Sequence, residues 1–218
     1  MSQLAQQSNS RKRKKNIVLA CLAGGVVLGV GAAVTLAAWN DDVFTQGTFT
    51  AGTFNVQGST DVGTTWVEAD TAGTAATLAF TLGGATLSTL SPGDTAYAPF
   101  ALHTATGTTN GADISLPTVT GDGGTILPNL TYTLVETTSA TCDAAAVSGA
   151  TTTIVPAGTA ITGGATNSTV FSLDPATTAA PGAPVYLCYA VTAGAGLGQG
   201  QTGTVTWDFH ATSNSTTS

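Results

Sequence analysis

After Lys15 the chain contains no lysine and no arginine. Its five basic side chains, Arg11, Lys12, Arg13, Lys14 and Lys15, stand in one pentapeptide, and the remaining 203 residues offer only two histidines in their place. That absence excludes several classes of function. Counter-ion release from nucleic-acid phosphates needs Lys or Arg, and so does attraction to anionic lipid headgroups. Cysteine is scarce as well, with three residues. Helical periodicity is missing between Trp39 and Ser218, which argues against an α-helical domain.

What is present begins directly behind the basic cluster. Ile17 to Trp39 is a run of 23 residues without a charge. As a helix it would reach about 34 Å, enough to cross the hydrocarbon core of a bilayer. A preceding basic cluster holds that end in the cytoplasm. The expected organisation is therefore a basic cytoplasmic region at 1–15 and a signal peptide or N-terminal membrane helix at 16–37.

Signal peptidases select small residues at −3 and −1. Thr35 and Ala37 meet that requirement and make Ala38 the first mature residue. Gly24, Gly25, Gly29 and Gly31 weaken the run as a lasting helix, which favours cleavage over a retained anchor. Val18-Leu19-Ala20-Cys21 loosely imitates a lipid-attachment box. Only five residues separate Lys15 from Cys21, however, and the apolar run continues well beyond it, so Cys21 reads as a passive residue of the segment.

From Ala38 on, 181 residues carry all twelve Asp and Glu and no Lys or Arg, a formal charge of −12. Solubility must come from that acidic excess and from hydroxyls, since 43 residues of the chain are threonine. Cys142 and Cys188 remain after cleavage, and in an oxidising exterior one disulfide between them is the expected arrangement.

Strand signals dominate the mature part. Val205, Trp207 and Phe209 alternate with polar residues, as do Leu130, Tyr132 and Leu134. "PVYLCYAVT" (184–192) is apolar on both faces and reads as a central strand. "ATLAFTL" (76–82) and "AYAPFALH" (96–103) are further candidates, with Pro99 demoting the second to an edge or a bulge. Pro92-Gly93 has the chemistry of a type II turn. Residues 137–168, rich in Ala, Thr and Gly, read as a long loop or irregular excursion held in part by Cys142. The fold class is thus all-β, an antiparallel β-sandwich of jelly-roll type over 57–218, preceded by a β-capable segment at 38–56.

That segment contains a small repeat, "TQGTF" (45–49) followed at once by "TAGTF" (50–54). An odd period places Phe49 and Phe54 on opposite faces of an unbroken strand unless Gly47 or Gly52 hosts a bulge.

Two stretches stand out, "TLAAWNDDVFTQGTFTAGTFNV" (35–56) and "LSPGDTAYAPFAL" (90–102). The two stretches resemble exported proteins processed by a SipW-like signal peptidase, the TasA and camelysin group. Trp39, Asn40, Asp41, Ala51, Gly52, Thr53 and Phe54 stand where that group has its signal motif. The resemblance covers 11–56 and 90–102. It implies a SipW-like peptidase as export partner and a jelly-roll-like domain at the surface or in the extracellular matrix of a Gram-positive bacterium. It further implies that the segment after the cut, with Phe44, Phe49, Phe54 and Val56, can be donated as a strand to a neighbouring copy in fibres. Its place as the first strand of its own sheet is the competing reading.

Catalytic patterns are sparse. Camelysin-type relatives suggest a surface metallopeptidase, yet the chain has only His103 and His210 as imidazole ligands and no HExxH. Each histidine is expected on the solvated face of its strand. No nucleophile elbow appears, and no catalytic residue is assigned. "NDD" (40–42) and "GDGG" (121–124) are weak calcium candidates, because aspartates in turns usually cap their own backbone. The expectation is a non-enzymatic structural protein without a cofactor, with a surface hydrolase or a ligand-binding module as alternatives.

Overall fold

The computed structural model describes residues 13–22, 46, 53–162 and 168–214. The chain divides into two compact units, Met1–Phe49 and Thr50–Ser218. In the first, residues 13–22 form a helix, α1, exposed along its length and carrying the free Cys21. The rest of the expected membrane or signal segment lies outside the described residues. Among the described residues no helix is long and apolar enough to cross a membrane.

The second unit is built of strands in chain order: β1 (Val56–Ser59), β2 (Thr81–Leu82), β3 (Ala85–Thr86), β4 (Thr95–Thr104), β5 (Gly111–Gly121), β6 (Leu130–Thr137), β7 (Thr152–Ala160), β8 (Phe171–Leu173), β9 (Val185–Ala193) and β10 (Val205–Asn214). One short helix, α2 (Ala144–Ser148), interrupts them, capped by the Asp143 carboxylate, which accepts from the Ala146 amide. Seven strands form one antiparallel sheet in the order β3-β2-β4-β9-β6-β7, with β1 on the flank of β4. Three form a second sheet in the order β10-β5-β8. The all-β reading is correct, and the two sheets pack as a sandwich.

Alternation explains what is inside. Ile114 and Leu116 of β5 are fully buried against a floor that includes Leu134 of β6, Ile154 of β7 and Leu187 of β9. Each such side chain contributes about 1.5–3 kcal/mol by leaving water. β9 sits between β4 and β6, as its two apolar faces require. Turn chemistry places the strand ends. Asp94 donates its amide to the Ser91 carbonyl at 3.0 Å and Gly93 has φ +92°, the positive value that a type II turn demands before β4. Gly83 and Gly84, both at positive φ, make the two-residue hairpin between β2 and β3.

Four expectations need correction. Pro99 does not make β4 an edge: β4 pairs along β9, with Pro99 opposite Cys188. On the other side of β4, β2 meets Tyr97 and β1 meets Ala101–Thr104, so Pro99 falls in the gap where a missing N–H costs least. "ATLAFTL" supplies only the two residues of β2. Residues 137–168 are not one loop, since they hold α2 and the nine-residue β7, anchored by buried Ile154 and Val155. Finally, β5 had no counterpart among the expected strands.

The expected disulfide is present. Cys142 and Cys188 are bonded, with Cα atoms 5.1 Å apart, and tie the α2 excursion to the central strand β9. Such a bond belongs to an oxidising, extracellular-type environment.

Candidate functional site: an open strand edge beside an apolar cleft

Among the described residues four of the five outer strands are protected against pairing: β1 has four residues and is bridged to Val67 at Gly58. β3 has two residues and β8 three, while β7 carries Pro156, Gly158 at positive φ and two register shifts. Short strands, prolines and bulges are the usual means of blunting an edge. β10 has none of the first two: it is ten residues long and contains neither Pro nor Gly. Its one irregularity is a register shift between Asp208 and His210 against β5. Among the described residues nothing pairs with its outer edge.

Beside that edge the sandwich is open. A cleft of about 1150 Å³ runs between the sheets, with Phe54, Leu78, Phe80, Phe100, Ile114 and Phe209 among its walls. It is lined by both apolar and polar residues of β10, including Trp207, Asp208 and His210, so it follows the strand's edge. The cause is the unequal width of the sheets, because three strands cannot cover seven. Val205, Trp207, Phe209 and Ala211 of β10 therefore pack on the core yet stay only partly buried.

Aromatic contacts hold the cleft floor. Phe209 stacks with Phe100 of β4 at 5.6 Å between ring centroids. Trp207 packs on Tyr189 at 4.8 Å and meets Tyr132 edge-on at 6.0 Å. Burial pushes the Tyr132 phenol up to about 12 and the Tyr189 phenol well above the usual tyrosine range.

The sequence-predicted residues distribute as follows. Thr35, Ala37, Ala38, Trp39, Asn40, Asp41, Phe44, Phe49, Ala51 and Gly52 lie outside the described residues. Thr53 bridges to Thr108, and its hydroxyl donates to the Gly107 carbonyl at 2.9 Å. Phe54 is exposed on the cleft wall. Val56 pairs with Thr104 in β1, so the last residues of the β-capable segment belong to the chain's own sheet. Phe54, Asn55 and Val56 of the segment line the cleft.

His103 and His210 are not brought together. His210 is exposed on β10, whereas His103, expected in solvent, is 4% exposed. The Trp66 ring stacks on it at 3.6 Å, and Nε2 meets the Gln57 Oε1 at 3.1 Å. Burial lowers its basicity. Sequence reasoning missed this because the cover comes from a loop residue 37 positions upstream. Among the described residues no three His, Cys, Asp or Glu side chains gather as a metal site. Asp122 of "GDGG" accepts from the Gly124 amide at 2.8 Å, the self-capping expected of an aspartate in a turn.

Comparison with known proteins adds no relative: no family model matches the chain, and no curated protein matches its sequence.

Proposed function

We propose that this is a structural protein of the cell surface or extracellular matrix that associates with copies of itself by strand donation. The observation that carries the reading is the long β10 edge, unpaired among the described residues and bordered by the apolar cleft. An extended segment laid along β10 gains backbone hydrogen bonds, and its alternate side chains enter the cleft. The donated segment is residues 38–52, upstream of the point where Thr53 is fixed to its own domain. Its Phe44 and Phe49 supply the apolar side chains, in keeping with the resemblance to the TasA and camelysin group.

The Cys142–Cys188 bond supports an exported location. The charge sets the conditions for association. Copies of −12 each repel one another, and that repulsion is screened over roughly 8 Å at physiological salt. The test is electron microscopy and sedimentation of the mature chain beside a chain starting at Thr53. The reading expects salt-favoured polymers from the first and folded monomers from the second. Monomers from both, at all salt concentrations, would contradict it.

A further inference from the structure

We infer that the Asp174–Pro175 peptide bond is a self-cleavage site, opened by the Asp174 carboxylate and leaving a two-piece domain joined by its disulfide. Asp174-Pro175 is the one Asp-Pro pair in the chain. It stands directly after β8, in the exposed start of the connection that leads to β9. The inference is independent of strand donation, since neither β10 nor the cleft takes part.

Three groups meet at the bond. The Asp174 carboxylate is tethered next to its own carbonyl carbon, and its attack there closes a succinic-type ring. Such tethering replaces a collision with solvent by an intramolecular step. Pro175 supplies the leaving group, because its nitrogen carries two alkyl substituents and no N–H and departs as a basic secondary amine.

The third group comes from the fold. Thr104, the last residue of β4, is fully buried, and its hydroxyl donates to the Asp174 carbonyl at 2.7 Å. Negative charge develops on that oxygen as the carboxylate adds, and a donor already in place strengthens with it. Gly182 closes the arrangement. Its amide donates to the Thr104 carbonyl at 3.0 Å, and a β-carbon at 182 would collide with both the Thr104 hydroxyl and the Asp174 carbonyl. Only glycine allows so close an approach.

The step needs no co-reactant but water. The carboxylate oxygen bonds to the carbonyl carbon, the Pro175 nitrogen takes a proton from solvent, and the carbon–nitrogen bond breaks. Water then opens the cyclic anhydride, leaving Asp174 with two carboxylates and Pro175 with a free amine. Acid speeds the reaction by protonating the departing nitrogen. The downstream piece, 175–218, carries β9 and β10. Cys142–Cys188 spans the break, so the two pieces stay covalently joined. The new amine is a cation in a domain that has no Lys or Arg.

The test holds purified mature protein at pH 5, folded or in urea, and follows it with time on reducing and non-reducing gels and by mass spectrometry. The expected product is a fragment beginning at Pro175, released only after reduction and formed about tenfold faster from the folded than from the unfolded chain. Asp174→Ala should abolish it. Thr104→Val, verified as folded by circular dichroism, should lower the folded rate about tenfold, whereas Thr104→Ser should keep it. Neither variant should change the rate in urea. Should Thr104→Val not fold, the folded-to-urea ratio of the parent and of Thr104→Ser decides alone. Equal rates in the folded and unfolded chains, cleavage at another bond, or a folded Thr104→Val that cleaves like the parent would overturn the inference.

Discussion

The Phe100 ring lies directly over Gly58, so that a β-carbon at position 58 would stand 2.8 Å from Phe100 Cζ. The same ring stacks on Phe209 across the sandwich, linking β1, β4 and β10 at the cleft. Gly58→Ala should therefore force Phe100 off its place. The expected destabilisation is about 1–3 kcal/mol, the usual cost of overpacking. Urea denaturation measures it, and Phe100→Leu in the same chain should recover part of the loss.

The Cys142–Cys188 bond closes a loop of sequence separation 46 around α2, β7 and β8. In the chain-entropy model that closure contributes roughly 4 kcal/mol. Reduction, or the Cys142→Ser/Cys188→Ala pair, should lower the urea midpoint accordingly. Equal stability with and without reductant would show that the bond constrains nothing in the unfolded chain.

His103 gives the domain an acid-sensitive term. Burial under Trp66 holds its basicity below the ordinary histidine value of 6.5. As pH falls through 6.5, the unfolded chain takes up a proton that the folded chain refuses. Stability must then decline with pH until the folded imidazole also protonates. His103→Gln should flatten that part of the stability–pH curve, measured by urea titration between pH 7 and 4.5.

Asp61 works in the same sense at lower pH. Hydrogen bonds from the Thr65 backbone first, then from the Ser59 side chain, lower its carboxyl from 3.8 to about 2. Its contribution is present above 3.8 and fades as pH falls towards 2. Asp61→Asn should loosen the 59–65 loop at neutral pH, with the difference from the parent vanishing near pH 2. Amide hydrogen exchange at Gly63, Thr64 and Thr65 reads this directly.

The strands most legible in the sequence were those whose large apolar residues alternate, and β9, whose unbroken apolar run marks a central strand. Leu130, Tyr132 and Leu134 mark β6, and Val205, Trp207 and Phe209 mark β10. β7 was hidden because only Ile154 and Val155 carry its burial, and Pro156 and Gly158 imitate loop chemistry. In β4, Ala96, Ala98 and Ala101 are fully buried, a role that small side chains do not announce. The cleft could not be read at all. Its walls come from residues as far apart as Phe54 and Phe209, and its opening follows from the unequal width of two sheets. The disulfide was legible because only two cysteines follow Cys21.

Strand donation is tested most directly by placing a photo-reactive benzoylphenylalanine at position 49. Light and heavy isotope-labelled subunits are mixed, assembled and irradiated, and the adducts are mapped by mass spectrometry. The account predicts light–heavy adducts concentrated on β10, Val205–Asn214, and on cleft residues such as Phe80 and Phe100. Adducts confined to the same chain, or between chains but away from β10 and the cleft, would contradict it.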